Sequence, residues 1–354
     1  MNGEFWSGKN VLITGHTGFK GSWLSLWLEE VGADLTGYSI GLPTDPCLFD
    51  AADVGRRMHS VTGDIREIDA LRGCFERCMP EIVFHLAAQS LVRPSYDDPI
   101  ETYSTNVMGT ANLLEAARHC KSVRGVIVVT SDKCYENREW IWPYRENEAL
   151  GGHDPYSSSK GCAELVTAAY RSSFFSDPSC AAVASVRAGN VIGGGDWATD
   201  RIIPDAIGAL TSGKEVVLRN PRFVRPWQFV LEPLHGYVTL AERLWSDAAG
   251  FAGAWNFGPN DGPAVSVGEL VDQLIDKWGN GSRGTAETRG QPHEATSLKL
   301  DSSKARELLG WTPIHDLPMT LEWIVEWHKH FAEYGNAHDV TLAQIRRYQD
   351  QLTA

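Results

Sequence analysis

The sequence predicts an α/β protein with a Rossmann-like, doubly wound parallel sheet and a smaller C-terminal, mixed α/β substrate-binding lobe. In the first half, short β-rich runs alternate with segments of helical periodicity, which is typical of a parallel sheet with helices on both faces. The first run leads into the glycine-rich stretch GHTGFKG. From residue 189, glycines and polar residues replace the alternation. We therefore expect a dinucleotide-binding domain at 1–188, a substrate lobe at 189–345 with some segments returning to the first domain, and a tail at 346–354.

The individual elements follow from periodicity and stop signals. A strand at 11–14 precedes a helix at 18–31, whose apolar residues recur at three- and four-residue steps and predict one face buried on the sheet. Gly32 then marks the end of this helix. Further elements of the first domain are expected as strands at 34–40, 82–87, 126–130 and 182–188 and helices ending near 120 and spanning 157–175. In the second lobe, helices are expected within 201–213 and near 266–278 and 302–309.

Composition and charge exclude several classes of protein. The chain has 354 residues, 43% of them hydrophobic and 22% charged, with a formal net charge of -13. This acidic balance, without a run of Lys and Arg, argues against nucleic acid or an anionic membrane as partner. The N-terminus lacks a basic segment followed by an apolar core, so we expect a cytoplasmic protein. The seven cysteines fit reduced thiols, and Cys74 and Cys78 alone do not make a metal site, so no metal is expected.

Three glycines at intervals of three, Gly15, Gly18 and Gly21, follow the first strand. A strand-to-helix turn offers unpaired N–H groups and the positive end of a helix dipole, and glycine lets a pyrophosphate approach the backbone. We assign Gly15 to the tight turn, Gly18 to close approach and Gly21 to helix packing. The spacing is GxxGxxG rather than GxGxxG, and glycines that merely end a strand are common. The position within a βαβ unit favours a dinucleotide site.

The adenosine end of such a site is less well defined. The second strand ends in TGYSIGLP, with no Asp or Glu for the ribose hydroxyls and no arginine directly after it. Asp64 could meet the adenine amine, or it could simply be a turn residue that caps the next helix. These residues leave NAD and NADP undistinguished.

Tyr156 and Lys160, in DPYSSSK, are four residues apart and share one face if the segment opens a helix. A cation beside a phenol lowers the phenol's pKa, which makes an acid/base unit. A Tyr-x-x-x-Lys spacing also arises by chance, so its context matters. That context is Ser131, at the C-terminal end of a buried strand, where open α/β sheets place ligands. The alternative for Ser131 is a polar strand end.

Taken in order, TGHTGFKG, HLAAQS, TNVMGTANLLEAA, Ser131 and the Tyr156 and Lys160 pair resemble the extended short-chain dehydrogenase/reductase family of nucleotide-sugar enzymes. The resemblance spans nearly the whole chain. TGHTGFKGSWL, TSDKCYENREW and RAGNVIGGGDW look most like the 4,6-dehydratases of that family that act on CDP-sugars. The choice of CDP over dTDP or GDP comes from this resemblance and not from any base-reading residue.

The resemblance implies NAD as cofactor, a nucleotide-sugar substrate and a homodimer or homotetramer. It also implies the residues of each site. The implied cofactor-binding residues are Gly15, Thr17, Gly18, Phe19, Lys20, Gly21, Asp64, Ile65, Leu86, Ala87, Ala88, Asn106, Tyr156 and Lys160. The implied substrate-binding residues are Gln89, Ser131, Asn190, Arg201, Arg225 and His293. The implied catalytic residues are Ser131, Asp132, Lys133, Tyr156 and Lys160.

The resemblance further implies a chemical sequence. Tyr156 takes the proton of the sugar O4 while C4 is oxidised, and the ketone then acidifies the C5 proton. Loss of that proton with the C6 hydroxyl eliminates water, and Asp132 protonates the departing hydroxyl. Relatives carry Glu after this Asp, whereas this chain carries Lys133, which we interpret as the C5 base; a charged lysine would only stabilise the enolate. The alternative for this pair is a solvated surface pair.

Three other functions stay open at this point. Another nucleotide-sugar 4,6-dehydratase would share the same residues. A nucleotide-sugar 4-epimerase would use Ser131, Tyr156 and Lys160 but needs no acid for water loss, so Asp132 discriminates between the two reactions. A dinucleotide sensor without catalysis would share only the fold.

Overall fold

The structure, a computed structural model, describes residues 3–260, 262, 265–286 and 297–353. The strands are β1 Asn10–Thr14, β2 Asp34–Ser39, β3 His59–Thr62, β4 Ile82–His85, β5 Gly125–Val129, β6 Ala182–Ala188, β7 Asn190–Ile192, β8 Val216–Leu218, β9 Trp227–Phe229, β10 Gly253–Phe257 and β11 Arg283–Thr285. Among the described residues, no helix is long and apolar enough to cross a membrane.

The helices surround and extend the main sheet. Their bounds are α1 Gly3–Trp6, α2 Phe19–Glu30, α3 Leu48–Ala51, α4 Ile68–Cys78, α5 Val92–Asp97, α6 Pro99–Tyr103, α7 Gly109–His119, α8 Pro155–Phe174, α9 Ile202–Thr211, α10 Leu231–Ser246, α11 Ala248–Phe251, α12 Val267–Trp278, α13 Leu317–Tyr334 and α14 Ala337–Thr353. Short 3₁₀ turns lie at Val54–Arg57 and Asp132–Cys134, and π-helical turns at Ser104–Met108 and Ala305–Leu309.

The main sheet has seven strands in the order β3-β2-β1-β4-β5-β6-β10. All its pairings are parallel. This confirms the predicted Rossmann-like fold class, because the first six strands follow the doubly wound order. One apolar core lies on the α2, α10 and α14 side and includes Ile13 and Phe84. A second lies on the α4 and α7 side and includes Leu12 and Val83.

The second lobe has its own small core and two two-stranded sheets, β7 with β9 and β8 with β11. Helices α9 and α12 pack with β8 around Leu210, Leu218 and Leu274. Two segments beyond residue 189 return to the first domain. Strand β10 pairs with β6, and α10 packs against β5 and β6.

Two expectations are corrected by the C-terminal helix. Residues 346–354 were expected as a tail, but α14 continues through Thr353, and Tyr348 is fully buried. Helix α2 was expected to bury one face, yet every residue from Gly21 to Leu28 is buried. The cause is the same for both, since α14 packs on the side of α2 that the sheet leaves open.

Candidate active site

A cavity of about 740 Å³ lies between the two lobes at the C-terminal ends of the parallel strands. Gly15 follows β1 and Leu86 follows β4, and both residues line the cavity. Strands β1 and β4 are neighbours at the point where the strand order reverses. Open α/β sheets bind ligands at this switch point.

The glycine turn between β1 and α2 brings two backbones together. Gly15 has φ +73°, and a Cβ there would lie 2.6 Å from the amide nitrogen of Ala87. A Cβ on Gly21 would lie 2.8 Å from Cα of His16. A Cβ on Gly18 would meet only the Gly15 carbonyl oxygen, at 3.3 Å. Backbone atoms of the protein therefore exclude a side chain at Gly15 and at Gly21, whereas a side chain at Gly18 would meet more open space.

The N-terminus of α2 opens onto the cavity. Its N-cap residue is Gly18, and no side chain caps the helix. The first N–H groups of a helix have no intrahelical partner and favour an anion. Lys20 lies beside them, and burial and the charge of Arg201 lower its pKa to about 8. This end of the cavity suits a diphosphate.

The opposite side of the cavity, where we expect the adenosine, lacks an acidic residue at the end of β2. Ser39 stands there, and its hydroxyl lies 2.8 Å from the Thr17 hydroxyl. Asp64 lines the cavity but accepts three hydrogen bonds from the Arg66 side chain, at 3.0, 2.8 and 2.6 Å. The hydrogen bond from Arg66 is the main reason that the pKa of Asp64 is lowered.

The turn after β5 carries three of the predicted catalytic residues. The Ser131 hydroxyl donates to Asp132 Oδ1 at 2.9 Å and accepts from the Lys133 amide at 3.2 Å. Burial raises the pKa of Asp132, although Lys133, Ser131 and Arg225 oppose the rise. A raised pKa suits a carboxyl group that donates a proton. Lys133 is half-buried beside it.

Helix α8 supplies the phenol. Asp154 caps the helix by accepting from the Ser157 amide at 2.9 Å, and Pro155 occupies the first turn. Tyr156 and Lys160 therefore lie on the first turns of one helix, as their spacing predicted. We expect the Lys160 cation and the positive charge of a nicotinamide ring together to lower the pKa of Tyr156. In the structure burial dominates and raises that pKa to about 12, with a hydrogen bond to Ser131 opposing the rise.

Lys160 is a buried residue of the cavity wall. Its Nζ is 3.5 Å from the Val129 carbonyl oxygen. Burial and the charge of Lys20 lower its pKa to about 7, and Glu164 opposes this. Burial and the charge of Lys160 lower the pKa of His85 to about 3. His85 is thus a neutral ring that bridges Thr14 and Thr110, at 2.7 and 3.2 Å.

Most of the residues predicted for the sites line this one cavity. They are Gly15, Thr17, Gly18, Phe19, Lys20, Gly21, Asp64, Ile65, Leu86, Ala87, Ala88, Gln89, Ser131, Asp132, Lys133, Tyr156, Lys160, Asn190, Arg201 and Arg225. Asn106 does not line it: its side chain bonds the Gln89 backbone at both atoms and the Ser159 hydroxyl. The Gln89 amide is likewise engaged, with Leu91 and Thr102. His293 lies outside the described residues.

On the side of the second lobe, two predicted arginines point their charge at the cavity. Arg201 is held by Asp196 at 2.9 Å and reaches the Ser90 hydroxyl at 3.2 Å. Arg225 donates to the Val224 carbonyl at 3.0 Å and influences Asp132 electrostatically. Sequence reasoning missed Asp196, whose only signal was its place after three glycines.

A second feature that sequence reasoning missed is an ionic bridge at the mouth of the cavity. Asp200 Oδ1 lies 3.4 Å from Arg93 of the first domain and 2.7 Å from Arg219 of the second lobe. All three residues line the cavity. Nothing in the local sequence couples Arg93 to residues more than a hundred positions later. Among the described residues, no group of His, Cys, Asp or Glu could hold a metal ion.

Together, the doubly wound sheet, the glycine turn and the Ser131, Tyr156 and Lys160 arrangement define an extended short-chain dehydrogenase/reductase of the nucleotide-sugar type. The family model described as GDP-mannose 4,6 dehydratase matches residues 12–323. The chain belongs to that family.

Comparisons with individual proteins agree with this assignment. The chain is 51% identical over 355 residues to the CDP-glucose 4,6-dehydratase of Salmonella typhimurium, covering 99% of this chain and 98% of that protein. The fold is shared with a UDP-glucose 4-epimerase from Thermotoga maritima at TM-score 0.78 and 22% identity, covering 91% of this chain and 99% of the other. It is also shared with a dTDP-glucose 4,6-dehydratase from Bacillus anthracis at TM-score 0.77 and 20% identity, covering 92% and 98%.

Proposed function

We propose that this protein is an NAD-dependent CDP-glucose 4,6-dehydratase, a hydro-lyase that converts CDP-D-glucose to CDP-4-keto-6-deoxy-D-glucose. The observation that carries this function is the 51% identity over nearly the full length to an enzyme of that activity. Asp132, which a 4-epimerase does not need, lies in the same cavity as Ser131 and Tyr156. That placement favours dehydration over epimerisation.

NAD fits the residues that are present. The uncapped start of α2 and the turn at Gly15 and Gly18 would hold the diphosphate, and Lys20 would add a positive charge. The chemistry that bound NAD would supply is reversible hydride transfer, from C4 of the sugar and back to C6. An acidic residue at the end of β2 would bind the ribose hydroxyls of NAD, but Ser39 occupies that position. The preference for NAD over NADP is therefore inferred from the family.

In the first half of the reaction the protein handles the proton of O4. Tyr156 accepts that proton as C4 is oxidised, and the Ser131 hydroxyl orients O4 by a hydrogen bond. The high pKa of Tyr156 makes its phenolate a strong base, and a positive charge brought close to the ring favours ionisation. Lys160, on the same face of α8, supplies one such charge when it is protonated.

In the second half the protein removes water across C5 and C6. Lys133, as the neutral amine, takes the C5 proton that the 4-ketone has acidified. Asp132 gives its proton to the C6 hydroxyl, which leaves as water, and its raised pKa keeps that proton available. After reduction at C6, the proton on Lys133 returns to C5. Tyr156 then holds the O4 proton and Asp132 lacks its own, so loss of one proton from Tyr156 to solvent and uptake of one by Asp132 restore both residues for the next cycle.

The test of the reaction is a mass measurement. Purified protein with added NAD is incubated separately with CDP-, dTDP-, UDP- and GDP-glucose. We expect a product about 18 mass units lighter, the mass of water, with CDP-glucose alone. A product of unchanged mass identifies an epimerase and overturns the roles of Asp132 and Lys133.

The role of Lys133 has a test of its own. In heavy water, Lys133→Met should still oxidise C4 but should no longer exchange the C5 hydrogen with solvent. A variant that exchanges this hydrogen at the wild-type rate removes Lys133 from the role of base, whatever the nucleotide specificity.

We also infer a homodimer formed through α6, α7 and α8. Ile100, Met108 and Leu165 expose 76%, 56% and 58% of their surface on or between these helices, more apolar surface than a solvated helical face requires. Light scattering on wild type and Leu165→Glu tests this, because a charge in the interface should release monomers.

Free thiols at all seven cysteines and use of NAD fit a cytoplasmic location.

A further inference from the structure

Arg187 and Glu164 form a buried ion pair close to the turn that carries Ser131, Asp132 and Lys133, which we call the catalytic turn. Arg187 Nη2 of β6 donates to Glu164 Oε2 of α8 at 2.8 Å, and both side chains are only 3% exposed. The Glu164 carboxylate also accepts from Ser185 at 2.7 Å and from Thr130 at 2.5 Å. Burial would raise the pKa of Glu164, but Arg187 and these hydroxyls hold it below its usual value. The pair is therefore charged.

The ion pair is hydrogen-bonded to the residues on both sides of the catalytic turn. Thr130, which donates to Glu164, immediately precedes Ser131. Tyr135, which follows Cys134 at the end of the turn, accepts from Arg187 Nη1 at 2.7 Å. Tyr135 in turn donates to Asn256 of β10 at 2.8 Å. The segment that carries Ser131, Asp132 and Lys133 is thus anchored on either side to one ion pair.

The same pair also holds the helix that carries the phenol. Glu164 is four residues after Lys160 and eight after Tyr156 on α8, so the three side chains lie along one face. Arg187 additionally donates to the Glu146 carbonyl at 3.1 Å in the loop before α8. The ion pair therefore connects the catalytic turn to helix α8, the two segments that carry the proposed catalytic residues.

Stability alone does not explain such a pair. Removing two charges from water is costly, and apolar residues of similar volume often serve a core equally well. A buried charged pair has directed, short hydrogen bonds, which fix distances that apolar packing leaves adjustable.

We propose that Glu164 and Arg187 are positioning residues, which set the separation between the turn of Ser131 to Lys133 and the Tyr156 face of α8. Neither residue lines the cavity. They act through Thr130 and Tyr135. The inference deepens the proposed function, because C4 oxidation needs Ser131 and Tyr156 from the two segments at once, and water loss needs Asp132 at a fixed distance from the same sugar.

The test removes single hydrogen bonds from the pair without removing its charges. Thr130→Val and Tyr135→Phe each free one end of the catalytic turn. Ser185→Ala is the matched control, since it removes a hydrogen bond to the same carboxylate from a residue of β6 that does not adjoin the turn. We measure kcat, KM and the thermal midpoint for all three variants.

We expect Thr130→Val and Tyr135→Phe to lower kcat about tenfold with KM within about twofold of wild type, because misplacing a reacting group by a fraction of an ångström costs rate. Ser185→Ala should keep kcat within about twofold while losing a similar amount of thermal stability. Equal losses of kcat in all three variants, or unchanged kcat in the two turn variants, would overturn the proposal.

A second readout does not depend on the reaction. Hydrogen–deuterium exchange of the amides at residues 131–135 should speed up at least about fivefold in Thr130→Val and Tyr135→Phe but not in Ser185→Ala. Wild-type turnover of CDP-glucose tests the proposed function separately. If the wild type acts on a different nucleotide sugar, the exchange pattern still decides whether the pair holds the turn, and equal exchange in all four proteins would refute it.

Discussion

Replacing Gly21 with alanine tests whether the packing of α2 against the glycine turn sets the affinity for NAD. The new Cβ would lie 2.8 Å from the His16 Cα and 2.9 Å from the Gly15 carbonyl carbon. Carbon atoms in contact are normally about 3.5–4.0 Å apart. The helix and the turn must therefore separate by about 0.7 Å or more, and because the obstructing atoms belong to the backbone, no rotamer change relieves the contact.

The size of the effect follows from two opposing terms. Overpacking costs about 3 kcal/mol at the upper end of its usual range, and alanine returns about 1 kcal/mol as the better helix former. A net loss of about 2 kcal/mol lowers the thermal midpoint of a protein of this length by about 3 °C. The displaced turn also carries the N–H groups that we propose bind the diphosphate, so the Kd for NAD should rise at least about tenfold.

Calorimetric titration with NAD and thermal unfolding measure both quantities. The matched control is Gly208→Ala in α9, where an added Cβ meets nothing within 4 Å. That variant should keep its affinity for NAD and gain up to about 1 kcal/mol of stability. Wild-type affinity for NAD in Gly21→Ala would refute the reasoning, and so would an equal loss in Gly208→Ala.

Three further predictions concern catalysis and stability. Asp132→Asn should lower the rate of water loss at least about 100-fold, because an amide cannot donate the proton that the C6 hydroxyl needs; a rapid-quench assay of the 4-keto-6-deoxy product checks this. Tyr348→Phe removes the hydroxyl that donates to buried Glu232 at 2.7 Å, and urea unfolding should show a loss of about 1–3 kcal/mol. Burial lowers the pKa of His328 from 6.5 to about 3. Below pH 6.5 the unfolded state therefore binds one proton more than the folded state, and the free energy of unfolding falls as the pH falls. Urea unfolding of His328→Leu between pH 6 and 4 should show a pH slope smaller by about 1.4 kcal/mol per pH unit.

Local sequence patterns were sufficient to predict much of the first domain. The runs that became β1 and β5 are rich in β-branched residues and are bounded by glycine or polar residues, so their length and position follow from nearby residues alone. The glycine motif and the Tyr156 to Lys160 spacing are equally local. Each depends on fewer than ten consecutive residues, and each lies in the structure where the motif predicted it.

Features that depend on distant contacts were not predictable in this way. The burial of α2 on all sides requires packing by α14, and the sequence near residue 21 contains no signal that predicts this contact. The pKa of Tyr156 is raised chiefly by burial, which only the assembled lobes produce and which the spacing between Tyr156 and Lys160 does not reveal. Asn106 was assigned to the cofactor from family resemblance, whereas three hydrogen bonds direct its amide toward the Gln89 backbone and Ser159.

The packing of α14 on α2 has a consequence for how the chain is made. Arg346 pairs with Glu30 across 316 residues of sequence. A ribosome adds about 5–20 residues per second, so α2 is synthesised many seconds before the α14 helix that covers it. During that interval Trp27, fully buried in the finished protein, and its apolar neighbours on the uncovered side are open to solvent. We therefore expect the first domain to be prone to aggregation during synthesis until α14 is made and packs on α2.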